Sequence, residues 1–408
     1  MTEISIVNSR QNKTINNVAL LLAILFLIRI RPYYFWSYEE IVRPMCAILI
    51  MIISAFNFSR EKYSILMFFL LVLAYVWASY FVDGSPIITV LNFVGFAFIP
   101  MIKKDLILET YGYFKKIFCV ILLLSIINYI LSVIGLGINL GTLQYENGPQ
   151  IITFVKQPFY IQSLEQSYAL PRFNGIFDEA GVIGTICGLM LICERMRFRY
   201  KMNRVLFLGG ILSLSFYFFI SLFLGMLLFA DRSKKNWKLM VFLVILTAIS
   251  YQIPQVYNTI WSRFVWDADA GTFVGNNRQD QIFSDFWDTI KGTPLMITGV
   301  GSIISSEYIG TSASLLVVIA KHGLLFVVPI ISAFLIMARR EFNSRWQWYV
   351  FSLYFILTLY QRPGFYSTYS LALYTMVIYQ FSNYTGRYDT KNSNIGSCYH
   401  IQSTRLHY

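Results

Sequence analysis

The stretch RFNGIFDEAG, Arg172 to Gly181, sets a guanidinium and two adjacent carboxylates at the start of a long apolar run. A planar guanidinium can hold phosphate oxygens bidentately and stays charged when partly desolvated. A carboxylate such as Asp178 or Glu179 can orient or deprotonate a hydroxyl. Together they are half of a site for an anionic, hydroxyl-rich substrate. Helix-terminus chemistry gives a plainer account of the same residues: a starting helix offers free N–H groups and favours negative charge, so Asp178 or Glu179 caps it while Arg172 reaches lipid headgroups. Capping leaves Gly175 and Gly181 unexplained, and these suit a tight turn or a close backbone approach beside the charges.

A second segment, WSRFVWDADAGTFVGNNRQDQIFSDFWDTIKGTPLMITGVGS, interleaves aromatic residues with carboxylates around Arg263 and Arg278. Trp287 and its neighbours offer the flat apolar faces that a pyranose ring stacks on, although an interfacial aromatic belt explains a single Trp equally well. Lys321 and His322 fall inside the apolar run SASLLVVIAKHGLLFVVPIISAF. A Lys at mid-helix costs about 2.5–3.5 kcal/mol on insertion scales, which marks a substrate-facing or water-filled cavity unless a helix break at Gly323 brings the pair to the interface. Arg362, in YQRPGFYSTY, sits in a turn punctuated by Pro363 and Gly364. It is either a third cation of the site or a headgroup anchor.

The elements that must position these residues are apolar helices. Of 408 residues 56% are hydrophobic and only 13% charged, the composition of an all-α polytopic integral membrane protein. Apolar runs recur from about residue 17 to about residue 383, and at about 20 residues per crossing they give about 12 membrane segments. The net charge of +12 suits cytoplasmic Lys and Arg that set topology rather than a nucleic-acid partner.

The run from Val205 to Ala230 is long for one crossing and short for two. If it turns back near LSLSF as two short or re-entrant helices, about 23 of the 33 Lys and Arg fall on the cytoplasmic side. Both termini are then cytoplasmic, residues 1–383 form a single membrane domain, and 384–408 are a polar cytoplasmic tail. Two long extracytoplasmic loops follow, at about 138–177 and 254–310, and long loops are usually functional when ordered. The five cysteines imply no disulfide framework and the three histidines no metal centre, so no metal and no cofactor is expected. No P-loop, dinucleotide glycine motif, H-E-x-x-H or G-x-S-x-G is present.

Across its span architecture the chain resembles the O-antigen polymerase family (Wzy type), within the wider group of polysaccharide polymerases and O-antigen ligases. The similarity is sharpest in RFNGIFDEAGVIG, where Ala180 stands at a position at which proline is common, and in NNRQDQIFSDFWDTIKGTPLMITGVGS, which runs into a Gly-x-Gly turn at Gly299 and Gly301. The stretch after that turn, SSEYIGTSASLL, lacks the histidine typical of the ligases.

The resemblance implies a metal-independent glycosyltransferase in the bacterial inner membrane with its site facing the periplasm. It implies undecaprenyl-diphosphate-linked oligosaccharides as substrates, and a chain-length regulator, a flippase and membrane lipids as partners. Arg172 and Arg278, with Arg263 or Arg362, would stabilise the diphosphate leaving group. Asp178 or Glu179 would act as general base on the acceptor hydroxyl. Gly175, Lys321, His322 and Trp287 complete the candidate substrate-binding set. A lipid-linked oligosaccharide flippase or other transporter is the rival reading; it expects charged residues within the spans and internal symmetry.

Overall fold

The computed structural model describes residues 2–393 except 60–61, 85–94, 148–149, 165–170, 302–306, 309–313, 343 and 362–363, with isolated positions only in 230–280. The described residues are mostly helical. The helices are α1 (Thr2–Arg29), α2 (Glu39–Phe56), α3 (Lys62–Val76), α4 (Lys104–Val133), α5 (Ala180–Cys193), α6 (Lys201–Leu212), α7 (Phe216–Phe229), α8 (Gln281–Ile290), α9 (Leu315–His322), α10 (Leu324–Glu341), α11 (Arg345–Gln361) and α12 (Thr368–Ser393). A wider helical turn, Trp77–Val82, prolongs α3. Helix α12 continues past residue 383 to Ser393.

Two described helices are long and apolar enough to cross a membrane, Lys62–Val82 and Lys104–Val133. The pair Thr14–Arg29 and Tyr33–Phe56, bent by 89°, makes a third if taken as one broken span. Among the described residues the expected count of about 12 is thus not met by uninterrupted helices. The run expected at 205–230 is cut at Ser213–Ser215 and that at 311–337 at Gly323, the helix Ala180–Cys193 has only 14 residues, and the runs expected at 86–102 and 239–253 lie largely outside the described residues. Between the first two expected runs the chain turns where Arg31 takes a left-handed φ of 66° before Pro32.

The cut at Ser213–Ser215 is a reversal, as the charge pattern anticipates. Near the start of α6, Asn203 accepts a hydrogen bond from Lys115 of α4 at 2.7 Å. At its end, the Leu212 carbonyl accepts from the Phe173 amide at 3.3 Å. Helix α7 then runs back along α5, with Gly184 against Ser215, Gly188 against Ser221 and Gly225 against Met196. Bare glycine faces let these short helices pack backbone to side chain.

The bundle has two ends with different chemistry. At one, Lys104 pairs with Glu341 at 2.6 Å and Ser382 donates to the Glu341 carbonyl at 2.8 Å. At the other lies a departure from an all-helical chain: the first long loop folds into a three-stranded antiparallel sheet, β1 (Thr142–Asn147), β2 (Gln150–Gln157) and β3 (Tyr160–Ser163). The pairing starts at Asn147 opposite Gln150, and the strands are rich in β-branched and aromatic residues. The sheet is pinned to the helices. Tyr129 packs edge-on against Tyr160 at 5.5 Å, Gln157 donates to Ser132 at 2.8 Å, and Trp36 lies 4.3 Å from Tyr145.

Candidate functional site

Residues 171–179 thread between the sheet, the segment after α1 and the α6–α7 reversal. The Gly175 carbonyl accepts from the Ile161 amide at 2.9 Å and the Ile176 carbonyl from the Tyr33 amide at 2.9 Å. Tyr129 donates to the Pro171 carbonyl at 2.8 Å. Gly175 needs its φ of +57°, and a Cβ there would meet Ile183 at 2.7 Å, so the close approach read from the sequence is present. Asn174 is 1% exposed and neither atom of its side-chain amide has a hydrogen-bond partner among the described residues. An unmet buried amide of this kind is uncommon and costly.

The motif's charges are held at graded depth. Arg172 is half-buried with its Nε enclosed, Asp178 is half-buried and Glu179 is exposed. Glu179 precedes α5 with extended backbone (φ −133°, ψ 136°) but makes no side-chain capping bond, so simple capping by that carboxylate is not what holds it there.

These carboxylates face cations that the sequence reading did not select. In RIRPYYFWSYEEIVR, Arg31 pairs with Glu39 at 2.7 Å, Arg43 pairs with the other Glu39 oxygen at 3.1 Å, and the Arg31 guanidinium lies 5.3 Å over the Tyr145 ring. Burial works against the Arg31 charge, yet the Glu39 hydrogen bond and the fields of Tyr145, Glu39 and Asp178 outweigh it and hold its pKa above the usual arginine value. The Tyr145 phenol is pushed up to about 12, by burial first and then by Asp178, with Arg31 pulling the other way. Asp178 therefore acts electrostatically within this cluster. Its readable signal was three arginines between the first two apolar runs, on the side that the topology otherwise leaves poor in Lys and Arg.

The second group lies at the cut in the run 311–337. There α9 ends at His322, Gly323 takes φ 81° and ψ 166°, and α10 begins. The break at Gly323 that the sequence offered as one of two accounts is real. His322 is 6% exposed, its Nδ1 is 3.9 Å from an Asp83 carboxylate oxygen, and its ring packs 4.8 Å from Phe326 and 5.7 Å from Tyr366. Lys321 is half-buried beside it. The Gly-x-Gly turn packs on this break: Gly299 has φ +85°, and a Cβ on it would strike the backbone of Lys321, His322 and Gly323 within 2.7 Å. Trp287 is half-buried, stacked on Phe283 at 6.4 Å, and joins a satellite core with Ala320 of α9. Its packing accounts for it without a sugar.

The two groups meet at the start of α12. Arg29 donates to Thr368 at 2.9 Å and lies 5.6 Å over Phe96, while Tyr75, 6.5 Å from Phe96, donates to the Tyr366 carbonyl at 2.6 Å. A layer of aromatic rings thus separates Arg29 from His322. The sequence-selected Arg263, Arg278 and Arg362 lie outside the described residues. No cluster of metal-ligating side chains occurs among the described residues. No family model, curated protein or solved structure matches the chain.

Proposed function

We propose that the protein is a polytopic polymerase of lipid-diphosphate-linked oligosaccharide repeat units. It transfers the growing glycan from its lipid carrier to a sugar hydroxyl of the next unit. The loop end of the bundle faces outward, the segments number about 12 with reversals counted, and the membrane is the bacterial inner membrane. The observation that carries this reading is the anchored turn 171–179, buried at 173–177, which sets Asp178 in the field of Arg31, with Arg172 six positions before it. In the proposed reaction Asp178 or Glu179 accepts the acceptor hydroxyl's proton as that oxygen bonds to the anomeric carbon. The glycosyl–diphosphate bond breaks, and Arg172 and Arg278 stabilise the departing diphosphate.

Arg172→Ala is expected to abolish long-chain polymer while protein level and membrane insertion stay normal. Near-normal chain length on a gel of surface polysaccharide from a complemented deletion strain rejects the assignment. A ligase differs in its acceptor, and its loss removes every capped core rather than leaving a single repeat unit.

The broken helix at Gly323 supports a second reading, a transporter for the same lipid-linked glycan. Discontinuous helices are a usual construction of transporter sites, and here the break sets the buried His322 3.9 Å from the half-buried Asp83 carboxylate. Accumulation of unit-linked lipid on the inner leaflet of the deletion strain selects transport, and accumulation on the outer leaflet selects polymerisation.

A further inference from the structure

The cations of the first turn have a stoichiometry that internal pairing does not satisfy. Arg29, Arg31 and Arg43 line a cleft with Trp36, and among the described residues the one carboxylate lining it is Glu39. Glu39 is divided between Arg31 and Arg43. Among the described residues the acceptors of Arg29 are neutral, the Arg43 carbonyl at 3.2 Å and the Thr368 hydroxyl at 2.9 Å. The Nε groups of Arg29 and Arg31 are both enclosed without a hydrogen-bond partner. Asp178 reaches Arg31 through its field, and Glu179 reaches Tyr145. Three guanidiniums sharing one carboxylate in a half-buried cleft is an unfavourable arrangement unless an anion completes it.

We propose that this cleft binds a phosphate group, with Arg29 and Arg43 as its principal donors and Glu39 as an internal competitor that the anion partly displaces. Guanidinium forks match phosphate oxygens in pairs, and the Trp36 and Tyr145 faces behind them restrict solvent. The phosphate belongs either to a diphosphate ligand or to an anionic lipid headgroup, and both present the same oxygens. The inference does not rest on glycosyl transfer: a chain that binds phosphate and polymerises nothing keeps this site and loses the proposed reaction.

The test uses the full chain in nanodiscs of neutral phosphatidylcholine, titrated with inorganic pyrophosphate by calorimetry, and a parallel thermal-stability series in discs containing phosphatidylglycerol. Loss of one charge-assisted contact should weaken pyrophosphate about tenfold or more in Arg29→Gln and in Arg43→Gln. Arg43 is exposed, so its variant keeps the fold even if the Arg29 variant does not. Glu39→Gln should tighten binding, which a purely structural role for the cluster does not produce. No pyrophosphate response, but a phosphatidylglycerol stabilisation that Arg43→Gln removes and Glu39→Gln enhances, assigns the phosphate to a headgroup. Wild-type behaviour of Arg43→Gln in both series, or weaker binding in Glu39→Gln, overturns the proposal.

Discussion

Two clusters of charge lie toward opposite ends of the bundle, and they are built on opposite principles. Between α4 and the end of α5, Lys115 contacts both oxygens of Glu194 at 2.6 Å and the Asn203 carbonyl oxygen at 2.7 Å, and Glu194 also accepts from Tyr111 at 2.8 Å. The side chains of Lys115 and Glu194 are 11% and 2% exposed. Each charge has its opposite and the network is closed. In the first turn, cations outnumber their pairing carboxylate, and Arg31 and Arg43 remain 39% and 55% exposed. A buried charge matched internally can hold helices in register but has nothing left to offer a ligand. A half-open cluster with surplus cations contributes little to stability and keeps its hydrogen-bonding capacity.

The contrast is sharpest where stability is measured on the closed cluster. Lys115→Met leaves Glu194 buried and unpaired, which should cost about 3–5 kcal/mol in denaturation of the detergent-solubilised protein. The double change with Glu194→Gln should recover most of that loss. Next in size is Gly323→Ala. Its backbone lies in a region open essentially to glycine alone and a Cβ would run into the Ile297 carbonyl, so at least about 1–3 kcal/mol is expected by the same measurement. The smallest effect belongs to the open cluster: Arg31→Gln should change stability by less than about 1 kcal/mol, because Glu39 keeps Arg43 and the pair is partly solvated. If Arg31→Gln destabilises as much as Lys115→Met, the first turn is a structural staple and the comparison fails.

Some of this was readable in the residues. The reversal at LSLSF followed from where the flanking Lys and Arg must lie, and the break at Gly323 from a Lys-His-Gly sequence inside an apolar run. The motif Arg172–Gly181 lies at the turn the sequence assigned to it, with Gly175 in the left-handed conformation. The sheet at 142–163 was missed even though IITFV is a β-branched and aromatic run that favours a strand, because the polar stretch between two long apolar runs reads as a loop. Among the described residues continuous spans are fewer than expected because hydropathy averages over a single residue such as Gly323 that cuts a helix, and because an apolar helix such as Ala180–Cys193 is short. The first-turn arginines carried a signal in their placement on the side otherwise poor in Lys and Arg, but nothing in the turn itself marked them as a site. Their partners, Tyr145, Asp178 and Thr368, are distant in sequence, and only the tertiary fold brings them to one place.

The contact between Arg29 and Thr368 spans 339 positions of chain. Because synthesis runs from the amino end, α1 is made long before its polar partner exists, and Arg29 waits through the synthesis of every intervening segment. A nascent chain stopped short of α12 therefore leaves Arg29 with the Arg43 carbonyl, 14 positions on, in place of its far acceptor.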